Sequence, residues 1–194
     1  MSYCDLFAMG KDVIVSVAAI TGAAVAVLGL GTWRRQLRGH SEYDLARRIL
    51  VSLFRYRDAI HAVRHPVMWA HEIPEAPADQ AKQMSRDQKR FYGTSQAYQA
   101  RWNKVNDERT TLYADLLHAE ALWGKELTDL FQTLFKLQHE LLVFIRSYLS
   151  EMDPDSDAAR KEAIHRIQSK RRDIMYDGLG DEDDEFKKEF QAAS

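Results

Sequence analysis

The 194-residue chain carries a formal net charge of −2 and 45% hydrophobic residues, enough for one domain with a core and too nearly neutral for a general nucleic-acid binder. Its single cysteine, Cys4, excludes an internal disulfide and any Cys-rich zinc site. With Gly 9 and Pro 4, and the prolines confined to two breaks (Pro66, Pro74 and Pro77, then Pro154), the rest of the chain is free to be helical.

The first predicted element is Val13 to Trp33, VIVSVAAITGAAVAVLGLGTW, which has no charged residue and is bracketed by Lys11-Asp12 and Arg34-Arg35. As a helix it reaches about 32 Å, the thickness of a bilayer's hydrocarbon core, and it is expected to cross a membrane. A cleaved signal peptide is disfavoured by the nearly neutral MSYCDLFAMGK segment, and a soluble core helix by the lack of a polar face. Arg34, Arg35 and Arg38 outweigh Lys11, which predicts the N-terminus outside and the rest in the cytoplasm, a single-pass cell-membrane protein with Trp33 as interfacial anchor. Ala18, Gly22 and Ala26, spaced by four, make a smooth helix-association face.

A second helix is expected from Ser41, an N-cap with Glu42 and Asp44 in the first turn, to the stop at Pro66. Tyr43, Ala46, Leu50, Leu53, Ile60 and Val63 give it an apolar stripe. Residues 34 to 66 hold eight arginines against Glu42, Asp44 and Asp58, so anionic lipid contact is expected near the span. His65 to Pro77 (HPVMWAHEIPEAP) reads as a loop, and its Met68, Trp69 and Ile73 are expected to pack on the domain.

Ala78 to Asp153 contains no proline, and Tyr98, Trp102, Val105, Leu112, Leu116, Ala119 and Trp123 form a coiled-coil-like seam that Leu127, Leu130, Leu134, Leu137, Leu141, Phe144 and Tyr148 continue. Trp102, Leu112, Leu116 and Trp123 are the interaction seam of this reading. At Gly124 the helix either caps and reverses or runs on through a stutter as a rod of about 110 Å. The reversal is favoured, because it lets helices bury one another within one chain. A last helix marked by Ile164, Ile167 and Ile174 follows the Pro154 turn, and the tail from Asp177 is acidic, with Phe186 and Phe190 at helical spacing. That tail is either a solvated end or a segment that docks on a basic surface such as the arginine-rich second helix.

The chemistry-bearing residues are sparse. No P-loop, GxGxxG, GxSxG or HExxH is present, and Lys170-Arg171-Arg172 has no nucleic-acid reading motif beside it. Asp58 and His61, Asp115 and His118, and Glu162 and His165 each place a carboxylate and an imidazole three residues apart, the spacing that di-metal helical bundles use. His61, His65, His71 and Glu72 form a second, zinc-like set. Neither displaces the simpler expectation of surface pairs, so no cofactor and no catalytic residue is assigned.

The fold class predicted is all-α: one N-terminal transmembrane helix followed by a cytoplasmic antiparallel helical bundle or long coiled-coil-like helices. The layout is a short extracytoplasmic N-terminus (1–12), a transmembrane helix (13–33), a cytoplasmic helical domain (34–176, helices over about 41–64, 79–123, 125–152 and 156–176) and an acidic tail (177–194). The chain resembles, generically, single-span membrane proteins with cytoplasmic helical domains, which fixes no residue's role. The function expected is non-catalytic, an interaction, scaffold or adaptor module that binds itself or another protein and no nucleic acid. The alternatives are a carboxylate/histidine metal-binding bundle enzyme and a membrane-surface sensor with an autoinhibitory acidic tail.

Overall fold

The computed structural model describes residues 3–177 and 184–193, with residues 3–20, 23, 27 and 32 described by their backbone alone. Every regular element among the described residues is helical, in the order α1 (Tyr3–Arg64), a 3-10 turn (Ala70–Glu72), α2 (Ala78–Ala81), α3 (Arg86–Trp123), α4 (Glu126–Leu130), α5 (Gln132–Met152), α6 (Ala158–Gln168) and α7 (Glu185–Ala193). The chain divides into two compact units, residues 1–47 and 48–194.

In the first unit α1 runs without a break through Ser41, so the N-cap expected there is a helix-interior serine. Among the described residues no helix is long and apolar enough to cross a membrane. The transmembrane helix expected over Val13–Trp33 is thus unsupported, the side chains of 13–20, 23, 27 and 32 lying outside the described residues. Those described are exposed, with Val25 at 64%, Leu28 at 71% and Trp33 at 58%.

The second unit is a helical bundle built on the last turns of α1, α3 and α5. Arg48 and Ser52 meet Asp115 where α1 enters this unit, while Arg101 reaches the carbonyls of His65 and Val67 just past its C-terminal end, so α3 runs antiparallel to α1. Tyr113 beside Phe135 and Tyr98 beside Tyr148, at ring separations of 6.3 and 6.1 Å, place α5 antiparallel to α3. The core is the apolar face of each: Ile49, Leu53, Tyr56, Ile60 and Val63 of α1; Tyr98, Trp102, Val105, Leu112, Leu116 and Ala119 of α3; Leu134, Leu137, Leu141 and Ile145 of α5.

Local chemistry explains the boundaries. The Ser85 hydroxyl accepts from the Gln88 N–H at 3.1 Å while the Gln88 side chain accepts from the Ser85 N–H at 2.8 Å, a capping box that starts α3. Gly124 ends α3 at φ 90° and ψ 179°, a backbone conformation open to glycine alone, and the chain reverses instead of continuing as a rod. Trp123, in the last turn before that reversal, is therefore 38% exposed, whereas the seam residues Trp102, Leu112 and Leu116 are buried. α6 stops at Gln168, short of the expected end near 176; Ile167 is exposed, and Ile174 and Met175 are buried from a non-helical segment where the Asp173 carboxylate accepts from the Met175 N–H.

The loop after α1 is seated by close approach. A Cβ at Gly93 would stand 2.5 Å from the Ile73 Cγ2, so the absence of a side chain on α3 is what lets Ile73 and Pro74 lie on it. Trp69 stays 61% exposed, against the expectation that it packs down.

Gly124→Ala tests the reversal. Nothing surrounds the position, so the cost is backbone strain alone: the variant should keep its helical content and lose about 1–3 kcal/mol in chemical denaturation.

Candidate functional site

The densest polar constellation lies where the end of α1 meets the C-terminal segment. Arg64 stands on the buried face of α1, one residue after Val63 and four after Ile60, and is 1% exposed. A buried guanidinium is tolerated only when its donors are taken up. Here Nε donates to the Ile174 carbonyl at 2.9 Å, and Nη2 donates to the Tyr176 carbonyl at 3.0 Å and to Asp184 Oδ2 at 2.7 Å. The cation also lies 4.5 Å from the centre of the Phe186 ring. In return the Arg64 carbonyl accepts from the Asp177 N–H at 2.9 Å.

Around this centre α7 buries its two phenylalanines. Phe186 and Phe190 stack at 5.9 Å, and Phe190 lies 6.2 Å from Tyr56 and 6.4 Å from His61. The i, i+4 spacing puts both rings on one side of a short helix whose residues 185, 187–189 and 191 are polar. Arg172 closes the arrangement with a fork: its Nη1 and Nη2 donate to the two Glu189 oxygens at 2.8 and 2.9 Å, and its Nε and Nη2 donate to Glu140. These bonds hold the Glu189 carboxyl below the usual carboxylate range and push Arg172 up.

Beside the docked tail a cleft of about 610 Å³ is lined by Arg57, His61, His65, Trp69, Asp177 and Lys187 among others. His61 meets Asp177 at 3.3 Å, and Lys187 meets the same carboxylate at 3.2 Å. One wall is set by Arg101, whose side chain is 8% exposed and whose Nη2 donates to Glu72 at 2.6 Å; that hydrogen bond lowers the Glu72 pKa from its ordinary value. Close to Arg101, burial pushes the Tyr148 hydroxyl up to about 12 and also raises Tyr98 and Tyr176, so this cluster of three phenols is neutral across the physiological range.

The three carboxylate-imidazole pairs are not gathered. Asp115 accepts from Arg48 and Ser52, and the His118 ring lies 3.4 Å from Arg48. Glu162 pairs with Arg166, and His165 with Glu151. Asp58 is exposed while His61 turns to Asp177. In the zinc-like set His65 bonds its own loop backbone at Val67, and Glu72 belongs to Arg101. Among the described residues no group of three or more His, Cys, Asp or Glu is placed to hold a metal. Arg34, Arg35 and Arg38 are exposed, as are Gly22 and Ala26 of the association face; the Ala18 side chain lies outside the described residues.

Sequence reasoning missed Arg64, Arg101 and Arg172, because an arginine on an arginine-rich chain reads as solvated. One signal was available for Arg64, its place in register with Tyr56, Ile60 and Val63.

The depressed Glu189 carboxyl has a signed consequence. Its stabilisation is complete above the ordinary value of 4.5 and is lost as pH falls through the lower folded value. Glu189→Gln should therefore be less stable than the parent at about pH 6, and the gap should narrow as the pH falls below the ordinary value of 4.5; denaturant titrations of both chains on either side of that value measure it.

Compared with models of known protein families, with curated proteins and with solved structures, the chain matches none of them at a significant level.

Proposed function

We propose that the chain is a membrane-tethered helical interaction module, held by residues 13–33 with its N-terminus outside and its helical bundle in the cytoplasm, where it binds a second copy or another protein without catalysis. The observation that carries this reading is that every described residue from Thr21 to Ser41 is exposed, Val25, Leu28, Leu30 and Trp33 among them. Apolar surface on all sides of a helix loses about 25 cal/mol for each Å² left in water, and a bilayer removes that loss most completely. Arg34, Arg35 and Arg38 supply the charge that keeps the following chain on the cytoplasmic side. The non-catalytic part is supported by the polar groups of the candidate site, which are committed to one another in structural ion pairs.

The full chain should remain in the membrane pellet after an alkaline carbonate wash, and leave it with detergent. Ala24→Arg combined with Leu28→Arg should move it to the supernatant, since an arginine at mid-bilayer costs about 2.5–3.5 kcal/mol on the insertion scale. Release of the parent chain by carbonate alone would overturn the tether. Purified in mild detergent, the chain should carry a near-stoichiometric partner or migrate as a homo-oligomer; a lone monomer overturns the interaction reading.

A second reading, a membrane-surface sensor with a masking tail, is favoured by α7, which brings the acidic C-terminus to α1 at Arg64. Its expected outcome is that Phe186→Ser with Phe190→Ser increases binding of the chain to anionic vesicles at low salt. Unchanged binding counts against it.

A further inference from the structure

A second cleft, away from the docked tail, lies open between α3 and α5 with a volume of about 510 Å³, within the range of small-ligand sites. Its walls divide by chemistry. Arg109, Lys136 and the His139 imidazole supply all of its ionisable side chains, and no carboxylate lines it. Phe135 and Leu142 supply an apolar wall, with the Arg109 guanidinium held 5.0 Å from the centre of the Phe135 ring. The nearest acid on α5, Glu140, faces a neighbouring hollow that shares Lys136 and His139, and it is already engaged by Arg172.

The floor of the cleft carries an independent indication. Gln138 is 4% exposed, the one buried amide side chain of α5. Its Oε1 accepts from the Tyr56 hydroxyl at 2.8 Å, which leaves the Nε2 end over. Among the described residues its Nε2 has no hydrogen-bond partner, and it is not one of the buried unpartnered atoms, so it is left to face the open side of the cleft. Two donor hydrogens thus remain at the wall of a hollow whose charged groups are all donors. We propose that this cleft binds a small organic anion, a phosphate monoester with a planar or apolar substituent: the phosphate meets Arg109, Lys136 and the Gln138 amide, and the substituent lies against Phe135 and Leu142.

The inference is independent of membrane attachment, and its test uses the full chain in detergent with phenyl phosphate as probe, phenol as its neutral counterpart and inorganic phosphate as its charge alone. Calorimetric titration should show saturable binding of phenyl phosphate, tighter than that of either control. Arg109→Gln with Lys136→Gln, both at exposed positions, should weaken it about tenfold or more while leaving the circular dichroism and melting of the chain unchanged. Gln138→Glu keeps an acceptor for Tyr56 and replaces the free donor by a carboxylate, so it should abolish the binding. Absence of saturable binding, equal affinity in the double variant, or phenol binding as well as phenyl phosphate would each overturn the proposal.

Discussion

The second unit depends on the Arg64 guanidinium. Taking a cation out of water costs several kcal/mol unless its donors are filled, and they are filled from one stretch of chain: two carbonyls at Ile174 and Tyr176, then the Asp184 carboxylate, with Phe186 over the charge. Apart from the buried Ile174 and Phe186 side chains, those groups have no strong reason of their own to be where they are. The segment after α6 is not helical, and α7 is a helix of 9 residues, too short to persist unaided. The buried charge turns this weakness into specificity, because any other placement of the segment leaves a cation unpaired in an apolar core.

The same device recurs. Arg101 takes the carbonyls of His65 and Val67 and both oxygens of Glu72, and so holds a loop whose large apolar residues Val67, Trp69 and Ile73 are all exposed and contribute little burial. Arg172 joins Glu140 of α5 to Glu189 of α7. Helix-helix packing thus accounts for α1, α3 and α5, and forked guanidiniums account for what is draped over them.

This division is also the division between what the sequence made legible and what it did not. Most of the α3 seam is legible in the sequence, since Tyr98, Trp102, Val105, Leu112, Leu116 and Ala119 are all buried while Trp123 is exposed, and so is the reversal at Gly124. On α1 the expected stripe holds at Leu53, Ile60 and Val63, all buried, and fails at Tyr43 and Leu50, which are exposed; Ile49, Tyr56 and Ala59 complete the core. That helix is charged on most of its circumference, and periodicity alone does not choose between adjacent registers. The three arginine forks were invisible for a different reason. Each guanidinium's partners lie 17 to 120 positions away along the chain, and no local pattern encodes contacts at that separation. For the candidate site the tail's two phenylalanines were legible as a docking motif, while the place of docking was only a suggestion.

The sequence distance across the Arg64 contact sets an order of events during synthesis. Arg64 is made 120 residues before Asp184, and Phe186 and Phe190 follow later still. The bundle therefore emerges with its most buried cation uncompensated and with the aromatic face of Tyr56 open. Closure of such long-range contacts is the slow part of folding, so the nascent chain offers a chaperone or an early-binding partner a surface that the finished protein has already covered.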